Sequence, residues 1–261
     1  MSALIARRWL HDARAGLLGW SVGLAAVTTM YLSFFGIMDA DIMGDYMASL
    51  PEGMVEAFGF QDLSSGAGYA QSTVYGLLGP VLLLIAGMTR GVGAVAGDEA
   101  SGALEVEVTA AAERRDVYVG RALGLTGFVL ALGAVVALAT AVISSITGMG
   151  LSPTHILAGA AALTMLGLVH AAVAFAVGAA TGRPGVALGV TVAVAVLGWF
   201  AYNLGPRLAD WVQPLSPWEW AYGESPLEQG VDGVGLALLA ALTLVAFVLG
   251  LLRFPHRDLG V

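Results

Sequence analysis

The chain has no cysteine and no lysine among its 261 residues. The missing thiols exclude disulfides, thiolate nucleophiles and cysteine-ligated metals. The missing ammonium groups exclude a P-loop, whose Lys must reach the β- and γ-phosphates, and a Schiff-base enzyme, which needs a Lys amine. If ATP drives this protein, another polypeptide binds it. Charge is also scarce, at 11% of residues, and unevenly placed. Arg, Asp and Glu are absent from residues 15–38, 63–89, 122–154, 156–182, 184–206 and 233–252. A water-soluble domain would not leave six such stretches uncharged, because its surface helices need a polar face.

Each stretch equals or exceeds the roughly 20 apolar residues that cross a hydrocarbon core. The sequence therefore predicts an all-α membrane protein with six transmembrane helices in a single transmembrane domain over residues 1–261. The spans are expected at 16–37, 73–96, 122–147, 155–180, 186–204 and 233–252. The 36 glycines fit this reading, since small residues let membrane helices approach closely. Gly79-Pro80 predicts a kink in the second span.

All eleven basic residues are Arg. With both termini in the cytoplasm, Arg7, Arg8, Arg14, Arg90, Arg114, Arg115, Arg121, Arg183, Arg253 and Arg257 lie on or near the inner side, and Arg207 alone lies outside. That asymmetry over short loops is what the positive-inside rule describes. The net charge of −8 then belongs mostly to the external segments, and no basic patch suits nucleic acid. The first apolar run is too long for a signal-peptide core, so Arg7-Arg8 reads as the basic flank of the first span.

Residues 1–15 read as an interfacial helix with Leu4, Ile5, Trp9 and Leu10 toward lipid. The external segment 38–72 is acidic. The second external segment, 205–232, holds Trp211, Trp218, Trp220 and Tyr222 among four prolines. Broken and aromatic, it suits short helices in the outer interface or re-entering it. The run Gly91–Ala96 formally fits a dinucleotide fingerprint, but it continues a membrane helix instead of following a strand. The four histidines are scattered, and no metal-ligand spacing occurs. Small-xxx-small pairs at Gly87/Gly91, Gly93/Gly97, Gly120/Gly124, Gly178/Gly182 and Gly185/Gly189 predict close helix packing.

Residues 97–121, GDEASGALEVEVTAAAERRDVYVGR, form the one cytoplasmic loop long enough to meet a partner. Read alone, it is a solvated loop whose arginines enforce topology. Its pattern also resembles the segment after the second span of ABC-2 type export permeases, where an acidic residue, a Gly, a second Glu and a basic turn recur. Residues 49–60 (SLPEGMVEAFGF) and 215–233 (LSPWEWAYGESPLEQGVDG) resemble the same family, especially its multidrug and polyketide-antibiotic efflux branch. The chain departs from the pattern at Ala110-Ala111-Ala112, where the family often has Pro, and at Glu107.

That resemblance implies a permease subunit that exports hydrophobic or amphiphilic compounds. It further implies two copies of a cytoplasmic ABC ATPase as partner, which binds the ATP and Mg, so this chain carries no cofactor. A second copy of the chain or a paralogous permease would complete the pathway. Coupling to the ATPase falls, on the same grounds, to Asp98, Glu99, Gly102, Glu105, Arg114 and Arg115.

Within the spans, Arg90 is expected to snorkel to the interface or to pair with Asp98 or Glu99. His170 and Asn203 are candidates for a substrate pathway. For His170 the alternative is a neutral ring bonded to a neighbouring Ser or Thr. An ion-coupled secondary transporter is the competing functional class, but such proteins carry midplane carboxylates, and no Asp or Glu lies within a span.

Overall fold

The computed structural model describes residues 1–37, 65–102 and 113–256, among which every regular element is helical. Helix α1 (Ser2–Asp12) leads into α2 (Arg14–Phe35), followed by α3 (Gly66–Ala100), α4 (Arg114–Thr147), α5 (Pro153–Thr181) and α6 (Pro184–Leu208). Two short helices, α7 (Pro217–Tyr222) and α8 (Pro226–Gln229), precede the last long one, α9 (Gly233–Arg253). Helices α2 to α6 and α9 are each long and apolar enough to cross a membrane. The chain is a multi-pass helical membrane protein.

Turn chemistry fixes the hairpins. Helix α4 stops at Gly148 and α5 at Gly182, both at positive φ, a left-handed conformation that costs glycine nothing. Helix α5 restarts with Ser152, whose Oγ accepts from the His155 amide at 3.2 Å, and with Pro153 in its first turn. These connections are short, so α4, α5 and α6 run antiparallel as neighbours.

Helix α5 is the centre of the bundle. Of its most apolar window 78% is buried, against 17% for α2, 22% for α6 and 28% for α9. Its Ala- and Gly-rich sequence explains why, since short side chains let neighbours come close on all sides. A Cβ at Gly91 of α3 would stand 2.5 Å from the Ala171 carbonyl oxygen, and one at Gly87 would stand 3.1 Å from the Ala171 Cβ. The outer helices turn large apolar residues outward, including Leu18 and Val22 on α2, Leu197 on α6 and Leu244 on α9.

Helix α3 is not uniform. Gln71–Leu78 and Gly93–Gly97 are π-helical, flanking the α-helical Gly79–Val92. The first widened stretch ends at Leu78, directly before Gly79-Pro80, where the proline ring cannot share a regular turn with the carbonyl four residues back. The disturbance expected at Gly79-Pro80 is thus absorbed as a widened turn.

Two sequence expectations change. Ile5, Trp9 and Leu10 of α1 turn onto α4 instead of lipid, seated against Gly120, Gly124 and Gly127, and only Leu4 stays exposed. The glycine furrow of α4 leaves room for them. Of the small-residue pairs, Gly87/Gly91 and Gly120/Gly124 pack against helices, whereas Gly93, Gly185 and Gly189 face open space.

Candidate functional site

The end of the bundle that carries both termini is organised around the start of α4. Val117, Tyr118, Gly120 and Arg121 are buried there, although they flank a polar loop. Arg121 is 4% exposed. Its Nη1 meets Asp98 Oδ2 at 2.6 Å and also donates to the Ala94 carbonyl, which lies in the second π-helical stretch of α3. A guanidinium cannot shed its proton in a protein, so its burial requires these acceptors.

Three further ties leave the same segment. The Tyr118 hydroxyl donates to the Phe247 carbonyl of α9 at 2.7 Å, and its ring packs on Phe175 of α5 and on Phe254. Asp116 accepts a hydrogen bond from the Ser2 hydroxyl of α1. Arg114 Nη1 donates to the Pro255 carbonyl at 3.4 Å. One helical end therefore binds α1, α3, α5, α9 and the C-terminal turn.

The sequence-derived coupling residues divide accordingly. Asp98 is engaged by Arg121 from within the chain. Glu99 stands beside it at the end of α3, half-buried. Gly102 has φ +77, and its amide donates to the Glu99 carbonyl at 3.0 Å, so its role in the fold is to end α3. Arg114 is half-buried and Arg115 exposed. Glu105 lies outside the described residues, as does the motif at 49–60. Sequence reading counted Arg121 among the ten inner arginines without singling it out as the partner of Asp98. The available signal was its opposite charge to Asp98 at the same depth on an adjacent, antiparallel helix.

The membrane-embedded candidates are separate from this site. His170 is fully buried, and its Nδ1 donates to the Leu166 carbonyl at 2.8 Å, a backbone partner in place of the expected Ser or Thr. Its Nε2 is buried with no partner among the described residues. Asn203 Nδ2 donates to the Trp199 carbonyl of its own helix at 2.9 Å. Arg90 does not pair with Asp98 or Glu99; its guanidinium lies over the Phe128 ring, 5.6 Å from the centroid.

At the opposite end, α7 and α8 plug the bundle. Trp218, Tyr222 and Leu227 are buried, while Trp211 is 68% exposed. The aromatic segment expected at the membrane interface is thus divided between protein interior and surroundings. Ser216 Oγ donates to the Gly198 carbonyl at 2.7 Å and accepts from the Trp218 amide, stitching α7 onto α6. Glu219 Oε2 accepts from Gln213 Nε2 at 2.9 Å. Partial burial, with Glu224 nearby, nevertheless holds the Glu219 carboxyl above the ordinary carboxylate range. Beside α8 an open cleft of about 470 Å³ is lined by Ser65, Met149, His155, Leu227 and Glu228 among others.

No curated protein matches this chain by sequence. A family model described as ABC-2 family transporter protein matches residues 4–259, nearly the full length, and the chain therefore belongs to the ABC-2 transporter family.

Proposed function

We propose that this chain is the permease subunit of an ATP-driven exporter, moved by a separate ATPase that docks on residues 97–121. The observation that carries this reading is the convergence at the start of α4. A displacement of the loop before Arg114 meets Arg121–Asp98, Tyr118–Phe247 and Asp116–Ser2 at once, so it would be passed to α3, α9 and α1 together. Asp98, with Arg121, transmits the push. Glu99, Glu105, Arg114 and Arg115 contact the ATPase, and Gly102 fixes where α3 ends and the docking loop begins.

In this reading both termini are cytoplasmic and the protein sits in a bacterial plasma membrane. Two permease bundles, either two copies of this chain or this chain and a paralogue, enclose the path and recruit two ATPases. The described spans carry Arg90 as their one charged residue well inside an apolar stretch, which favours hydrophobic or amphiphilic cargo such as drugs, antibiotics or lipids over bare ions. His170 and Asn203 are candidates for lining that path.

The test is transport in membrane vesicles containing the protein and its co-purifying ATPase. Uptake into inside-out vesicles should need ATP and stop with vanadate. Uptake that survives ATP depletion but collapses with a protonophore would instead mark a secondary transporter. Because the native chain has no cysteine, single cysteines placed in the 97–121 loop can be labelled from either side to fix orientation.

A further inference from the structure

Arg90 is left without a role by the coupling site, and its surroundings are unusual. It lies eight residues before Asp98 on α3, about 12 Å deeper along the helix at 1.5 Å per residue. Its guanidinium lies across Gly16 of α2, where a Cβ would collide with Nη2, and one face covers the Phe128 ring. Trp9 packs edge-on against that ring at 6.4 Å and fixes it. A guanidinium has five N–H donors in its plane. The ring satisfies only the face, and among the described residues no carboxylate or carbonyl meets the N–H edge.

Donors left bare at membrane depth are costly, and the fork geometry of Arg matches phosphate oxygens. The neighbourhood is open to such a group. Positions Gly19 on α2 and Gly93 on α3 have nothing within 4 Å of where a Cβ would stand. Val81 and Ile85 of α3, 45% and 41% exposed, lie one turn apart and form an apolar strip leading toward Thr89 and Arg90. Arg14, at the start of α2, adds a second positive charge near Gly16.

We propose that Arg90 binds a phosphate group, supplied by the headgroup of an anionic phospholipid in the leaflet on the side of the termini. The phosphate takes the N–H edge that Phe128 leaves open, and an acyl chain lies along Val81 and Ile85. The apolar strip selects a lipid over free phosphate.

Native mass spectrometry of the full-length protein, titrated with phosphatidylglycerol or phosphatidylcholine, tests this. The wild type should bind phosphatidylglycerol about fivefold more tightly than R90Q does, the effect of one membrane-proximal cation. It should also prefer phosphatidylglycerol to phosphatidylcholine, and R90Q should not. G16A keeps the charge but pushes the guanidinium off its seat, so it should lose the preference too; it carries the test if R90Q fails to fold. Equal phosphatidylglycerol affinity in wild type and both variants would overturn the site. Displacement of the lipid by millimolar inorganic phosphate would overturn the lipid as its source.

Discussion

The two ends of the bundle differ in how completely the described residues pair their buried polar groups. At the end with the termini, Arg121 has Asp98 and the Ala94 carbonyl, Tyr118 has the Phe247 carbonyl, and Asp116 has Ser2. At the other end Tyr222 OH, Trp218 Nε1 and Gln71 Oε1 are buried with no hydrogen-bond partner among the described residues. A satisfied buried network makes a stiff joint. An unsatisfied buried donor costs roughly 1–3 kcal/mol, so the plug of α7 and α8 relies on packing and on the Ser216 and Gln213–Glu219 hydrogen bonds. Under the proposed function, the first arrangement suits the end that would receive the ATPase's push.

The contrast can be broken most severely at its strong end. Arg121→Ala leaves Asp98 without its cation and the Ala94 carbonyl without its donor, and is expected to cost about 3 kcal/mol. Asp98→Ala should cost at least as much, because it strands the buried Arg121 guanidinium, whereas the 37%-exposed carboxylate left by Arg121→Ala can be hydrated. Thermal unfolding in detergent should place both variants below wild type, with Asp98→Ala no more stable than Arg121→Ala. An unchanged midpoint in Arg121→Ala would remove the joint.

Gly91→Ala tests the core between the two ends. Its new methyl meets the Ala171 carbonyl oxygen at 2.5 Å, and the rigid backbone there cannot yield, so about 2 kcal/mol of overpacking is expected. The same measurement reads it out, and Gly185→Ala, in open space, serves as the neutral control.

A sharper comparison makes one substitution at both ends. Tyr118→Phe deletes a hydroxyl bonded to Phe247 and should lower stability by about 1 kcal/mol. Tyr222→Phe deletes a buried hydroxyl that has no partner among the described residues and should be neutral or stabilising by up to about 1 kcal/mol. If both variants unfold at the same lowered temperature, the two ends do not differ.

The smallest effect concerns pH. Because the folded state raises the Glu219 carboxyl, its protonated form favours the fold. That contribution is full below the ordinary carboxylate range and is lost as pH rises through the raised value. Glu219→Gln should therefore flatten the fall of the unfolding midpoint between acid and neutral pH. A variant whose midpoint follows the wild-type pH profile would count against a burial-raised carboxyl.

Span count, helix class and the glycine turns could be read from the sequence because each is a local property. An uncharged run of membrane length must satisfy its own backbone and therefore forms a helix, and Gly148 and Gly182 end helices by their own conformational freedom. Family membership was legible too, in the ordered motifs at 97–121 and 215–233. Which side chains meet was not legible. That Arg121 rather than Arg90 takes Asp98, that Trp9 and Ile5 seat on α4 instead of lipid, and that Trp218 and Tyr222 turn inward all depend on how close two helices approach. In a chain whose helices are apolar on every face, hydropathy does not say which face is inside. Glycine furrows and shape complementarity choose the partners, and those exist only once the helices have packed.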